Sequence, residues 1–130
     1  MKLKQLLPLI FLVAISIQSA IGQDNTEISN ALSNGNSKVL AKYFNENIDL
    51  KIPGTDGVFN KMQAELILKD FFNQNKITEY EVKHEGKSKN DSYYLIGEMS
   101  LSNEKYRTYI LLKKKDNSFK ILEFNIELDE

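Results

Sequence analysis

The chain has no cysteine and no tryptophan, only one histidine, and two prolines in 130 residues. Without cysteine there is no disulfide framework, no thiolate metal site and no lipid tether on an N-terminal cysteine. Whatever folds here is held together by its core alone. One histidine and no Asp/Asn loop of calcium-binding spacing leave no basis for a metal site. No nucleotide or catalytic motif is present either, so the sequence implies no cofactor. An excess of one charge is also lacking: 17 Lys and Arg stand against 18 Asp and Glu. That mixed balance argues against a nucleic-acid or anionic-membrane partner, which calls for a clustered positive surface. The one basic run, Lys113-Lys114-Lys115, precedes the turn Asp116-Asn117. It reads as a solvated hairpin tip that guards against edge-to-edge pairing.

A long apolar span is missing too, but a short one is present. Lys2 and Lys4 precede an apolar run from Leu6 to Ile17, and Ser19-Ala20-Ile21-Gly22 supplies small residues at a cleavage site. The run has the length of a signal h-region and is short for a bilayer span. The expectation is a signal peptide over residues 1–22 and a mature, exported (periplasmic or extracellular) chain of 23–130 with no membrane anchor. Removing 22 residues from 130 leaves 108, and takes away two lysines and no acid, for a net charge of −3. That is one domain, able to bury roughly two-thirds of its unfolded surface.

The mature chain changes period halfway. Asp24 and Glu27 read as an N-cap pair, Ile28, Ala31 and Leu32 recur at helical spacing, and Asn34-Gly35-Asn36 ends that helix. Ser37 can cap a second short helix with the face Val39, Leu40, Tyr43 and Phe44. Ile48, Leu50 and Ile52 alternate as a half-buried strand, and Pro53-Gly54 and Asp56-Gly57 are turn signals. Asn60 and Gln63 fit a capping box for the main helix. Its stripe is Ala64, Ile67, Leu68 and Phe71, and Met62, Leu66 and Phe72 widen the arc, which predicts burial on more than one side. Four strand-like runs follow from Ile77 onward, and their short turns favour an antiparallel meander. The expected fold class is α+β: N-terminal helices and one long helix on a curved antiparallel sheet.

This order resembles the cone-shaped nuclear transport factor two-like (cystatin-like) superfamily. More narrowly, the segments LAKYFN (Leu40 to Asn45), IPGTDGVF (Ile52 to Phe59), QAELILKDFF (Gln63 to Phe72), HEGKS (His84 to Ser88), YLIGEM (Tyr94 to Met99) and YRTYILLKKK (Tyr106 to Lys115) are similar to an uncharacterised bacterial exported family, domain of unknown function family 4783. The resemblance implies a fold and a compartment. It brings no activity, because the superfamily holds enzymes, binders and interaction modules alike.

Six residues stand out as candidates for a ligand-binding site: Tyr80, His84, Tyr94, Glu98, Arg107 and Tyr109. Strict alternation puts His84 on one face with Tyr80 and Val82, where a cone interior would lie. If the next hairpin closes tightly at Ser102-Asn103, Glu98 faces Arg107 as a cross-strand ion pair and Ile96 faces Tyr109. The tyrosines suit a pocket or an interface, each having a large apolar face and a polar tip. The reading is a non-enzymatic binding module that uses its cone cavity or a sheet face. Its partner is a small apolar ligand, a peptide or a second copy across the sheet. The alternative is a cofactor-free isomerase or dehydratase type of enzyme. His84 would then carry the proton, and Tyr94 or Tyr109 would donate to an oxyanion. The outer set for self-association is Tyr94, Ile96, Tyr109, Leu111, Leu122 and Phe124, or else Tyr93, Leu95, Met99, Tyr106, Ile110 and Leu112.

Overall fold

The structure is a computed structural model and describes residues 20–129. Most of the expected signal peptide therefore lies outside the described residues. Helix α1 spans Ala20–Ser33 and buries Ile28, Ala31 and Leu32. It begins before Asp24, so Asp24 sits inside the helix and is not its N-cap. The Thr26 hydroxyl already bonds back to the Gly22 carbonyl at 2.8 Å. At the other end Gly35 takes φ 62°, Gly35 N donates to Leu32 O, and Asn36 N donates to Ala31 O. These are the two bonds of a Schellman stop. Helix α2, Ser37–Lys42, follows at once. Its cap is Asn36, one residue earlier than the expected Ser37, with Asn36 Oδ1 accepting from Val39 N at 3.1 Å. The Tyr43 hydroxyl donates to the Glu27 carboxylate and ties the start of the sheet to α1.

Strand β1, Phe44–Ile52, turns at Pro53-Gly54 into β2, Thr55–Asn60. Asp56-Gly57 is not a turn: both residues pair within β2, opposite Lys51 and Leu50. Helix α3, Lys61–Gln74, carries the expected capping box, with Gln63 N donating to Asn60 Oδ1 at 2.8 Å and Asn60 N to Gln63 Oε1 at 3.3 Å. It buries Ala64, Leu68, Phe71 and Phe72. Of the predicted wider arc only Phe72 is buried: Met62 is 72% exposed and Leu66 56%. The helix packs against α2, β1 and β2 on one side only, and its outward side meets solvent.

Strands β3 (Ile77–Lys87), β4 (Ser92–Leu101), β5 (Glu104–Lys115) and β6 (Ser118–Leu128) form the expected antiparallel meander. Ser102-Asn103 and Asp116-Asn117 have positive φ at both positions, the conformation of tight two-residue hairpins. The full sheet has six strands in the order β2-β1-β6-β5-β4-β3, with β1 parallel to β6. It is curved and unclosed. Bulges at Thr78, Lys83 and Leu122 interrupt its ladders, and a bulge bends and twists its strand. One face carries Ile48, Leu50, Leu95, Met99, Ile110, Leu112, Ile121 and Phe124, all fully buried under the helices with Ile28, Leu32, Leu40 and Leu68. Phe124 thus belongs to the helix-covered core, and the outer set expected to include it ends at Leu122.

Candidate functional site

The register places the six candidate residues on two faces. Tyr94 pairs with Leu111, Ile96 with Tyr109, and Glu98 with Arg107, all pointing away from the helices. His84 pairs with Ile96 and joins that outer face. The alternation that put it beside Tyr80 and Val82 fails because Lys83 is an unpaired bulge residue, and an extra residue reverses every later side chain. Tyr80, opposite Met99, stays on the helix-covered face. The structure therefore brings His84, Tyr94, Glu98, Arg107 and Tyr109 together and leaves Tyr80 behind.

The outer face has an apolar band and a charged band. Tyr94, Ile96, Tyr109, Leu111 and Leu122 are half-buried neighbours on β4, β5 and β6. Leu122 is there because the β6 bulge turns two successive residues, Leu122 and Glu123, away from the core. Partial burial, with the Glu123 carboxylate close by, raises the pKa of the Tyr109 hydroxyl. Below this band run Glu127, Arg107, Glu98 and Glu81 on successive strands. The expected Glu98–Arg107 ion pair does not form, although the residues are in register. Glu98 Oε1 pairs with Lys105 at 3.3 Å, and Glu127 Oε1 pairs with Lys51 at 2.9 Å. Lysine side chains one row away have the reach to take both acids first. His84 is exposed on the edge strand β3. Among the described residues nothing encloses it in the closed pocket that proton transfer by His84 would require.

On the helix-covered face, Tyr80 lies across Gly97 of the neighbouring strand. A Cβ at Gly97 would come within 2.6 Å of Tyr80 Oη. Burial raises the Tyr80 pKa, and the neighbouring Thr108 hydroxyl offsets part of that rise. Both hydroxyls are buried, and neither has a partner in hydrogen-bonding geometry among the described residues. Tyr94 repeats the device on the outer face: a Cβ at Gly86 would come within 2.8 Å of its Oη. A groove of about 260 Å³ runs between α1 and this edge, lined by Asn25, Glu85, Gly86, Lys87, Tyr93 and Tyr94. Asn25 Nδ2 donates to Glu85 Oε2 at 3.3 Å across it. Sequence reading missed Asn25 and Glu85, since no local pattern signals a contact between residues 60 positions apart.

Helices on one face of a curved, unclosed sheet define the class. The chain is similar to a domain of unknown function with a cystatin-like fold from Nostoc punctiforme (TM-score 0.67, 14% identity, covering 85% of this chain and 76% of that one). It is also similar to an NTF2-like protein of unknown function from Cytophaga hutchinsonii (TM-score 0.59, 16% identity, 88% and 95%). At those identities the likeness is one of fold. The model of the family Domain of unknown function (DUF4783) matches residues 25–127, nearly all of the described chain, and the protein belongs to that family. A solved DUF4783 family protein from Bacteroides uniformis is 28% identical, with a TM-score of 0.75, covering 81% of this chain and 96% of that one. No curated protein matches the chain. Among the described residues no helix is long and apolar enough to cross a membrane.

Proposed function

We propose that this is an exported, non-enzymatic binding module whose working surface is the outer face of the sheet, and that it associates with a second copy there. The observation that carries the reading is the apolar band of Tyr94, Ile96, Tyr109, Leu111 and Leu122, over which no described element packs. Large side chains with part of their surface in water on three adjacent strands favour a partner that removes that surface. The charged band beside it is compatible with a second copy. Glu98 and Glu127 are already neutralised by Lys105 and Lys51, so two such faces meet without a net like-charge clash. A two-fold pair is the closed solution for one self-complementary patch. Tyrosine at the centre suits an interface, since it buries a large area with few rotatable bonds. Export rests on the N-terminal segment, with its two lysines, apolar run and small residues.

Light scattering of the protein across a dilution series tests this directly. The expected result is a concentration-dependent dimer that Ile96→Lys reduces to a monomer with its fold unchanged by circular dichroism. A strictly monomeric wild-type mass at high micromolar concentration would remove self-association.

A further inference from the structure

A second surface, beside the β5–β6 hairpin tip, is built against local electrostatic preference. Strands β1 and β6 pair at Phe44–Ile121 and again from Asp49–Glu123. Between those points β1 has Asn45 to Ile48, and β6 has only Leu122. The strands part there, and a cleft of about 470 Å³ opens beside the β5–β6 hairpin tip. That volume is in the range of small-molecule sites. Three lysines from three elements line it: Lys61 at the start of α3, Lys115 at the end of β5 and Lys120 on β6. Lys115 Nζ donates to Asn45 Oδ1 at 2.9 Å, which holds the ammonium on the cleft wall with further protons to donate. Glu46 and Asp116 also line the cleft. The ion pairs among the described residues nevertheless join Lys51 to Glu127, Lys83 to Glu81 and Lys105 to Glu98, and none involves these three lysines.

Two unfavourable arrangements meet at this place. Lys120 sits directly opposite Lys113 across the β5–β6 ladder, and like charges in that position repel. Helix α3, 14 residues long, begins with Lys61 and has no acidic residue in its first turn. A helix N-terminus carries partial positive charge and favours acids there. Asp24 of α1 lies close enough to Lys120 for their charges to interact, and Glu46 and Asp116 line the cleft, yet none of these acids forms an ion pair with the three lysines. Local rules broken together at one cleft are what a binding site produces. One bound anion relieves both at once, and flexible ammonium groups converging from several sides suit a tetrahedral oxyanion that carries more than one charge.

We propose that this cleft binds a phosphate monoester group, held by Lys61, Lys115 and Lys120. Lys115, the last residue of the run Lys113-Lys114-Lys115, is then part of a site as well as of a solvated tip.

The test is a titration of the protein with inorganic phosphate at ionic strength held constant with chloride, read by amide chemical shifts and by the thermal unfolding midpoint. Saturable shifts centred on residues 45–47, 61 and 115–120, with a rising midpoint, are expected. The variant carrying Lys61→Gln, Lys115→Gln and Lys120→Gln should bind about tenfold more weakly or worse. Wild-type shifts that never saturate, or shifts equal in the triple variant, would overturn the proposal; if the variant does not fold, the wild-type shift map alone decides. A parallel arm compares glucose 6-phosphate with vesicles containing phosphatidic acid, whose headgroup is a phosphate monoester, and with vesicles of phosphatidylcholine alone. Competition by the sugar phosphate assigns a soluble ester as the source. Co-sedimentation with the anionic vesicles alone assigns a lipid headgroup.

Discussion

On the helix-covered face of the sheet, Leu95, Met99, Ile110, Leu112 and Phe124 are fully buried. On the outer face of the same strands, Tyr94, Ile96, Tyr109, Leu111 and Leu122 keep part of their surface in solvent. Each face also folds a tyrosine over a glycine of the neighbouring strand, Tyr80 over Gly97 inside and Tyr94 over Gly86 outside. The chemistry is nearly the same and the surroundings differ. Inside, the core side chains are enclosed under the helices, so volume is the constraint. Outside, a ring can swing into solvent, so what matters is which partner arrives. Stability therefore resides on one side of the sheet, and the proposed binding on the other.

The largest separation of the two faces should come from truncation. Phe124→Ala should lower unfolding free energy by about 3–5 kcal/mol, the usual range for a fully buried phenylalanine. Ile96→Ala on the outer face should cost roughly 1 kcal/mol or less, the scale of a cross-strand pair contribution. Urea unfolding of both variants measures the difference, and equal midpoints would abolish the distinction. A smaller but sharper contrast comes from the two glycines. Gly97→Ala drives a Cβ into the Tyr80 ring, which packs against the core and has its hydroxyl buried, and should cost about 1–3 kcal/mol, as overpacking does. Gly86→Ala meets only a half-exposed Tyr94, which can rotate away, and its thermal midpoint should stay close to wild type. A comparable loss in both would mean that Tyr94 is as tightly held as Tyr80.

Next in size is an effect on assembly without one on folding. Tyr109→Arg should remove self-association in analytical ultracentrifugation and leave the urea midpoint near that of the wild-type monomer. A dimer that persists in this variant would place the interface elsewhere. The smallest effect is expected from Tyr80→Phe. The Tyr80 hydroxyl is buried without a hydrogen-bond partner, so its removal takes away a desolvated polar group and no bond. Stability should be unchanged or slightly higher by thermal melting. A loss of about 1 kcal/mol would show that Tyr80 and Thr108 do bond in solution.

Much of the fold was legible because its signals are local. The capping box at Asn60 and Gln63, the stop at Gly35 and the tight turn at Ser102-Asn103 each depend on residues within a few positions of one another. The turn at Ser102-Asn103 in turn sets the pairing of Glu98 with Arg107. Strand β2 was missed because Asp56-Gly57 reads as a turn, and it is a strand only through its ladder with β1. The candidate site was legible in part. Tyr94, Tyr109, Glu98 and Arg107 follow simple alternation from that turn. His84 and Phe124 do not, because bulges at Lys83 and at Leu122 shift the phase. A bulge is settled by how two strands match, and neither strand announces it alone.

The amino-acid sequence by itself determined the α+β class, the long helix, the four-strand meander and the family likeness. All of these arise from periodicity, caps and turns over short stretches of chain. Only the tertiary structure decided that β1 runs parallel to β6, that His84 faces outward on an edge strand, that Lys105 and Lys51 take the acids beside Arg107, and that Lys61, Lys115 and Lys120 meet at one cleft. Each of these joins residues far apart in the chain, or turns on a one-residue change of register. Side-chain direction in a strand reverses with every residue, so the global pairing of strands settles it.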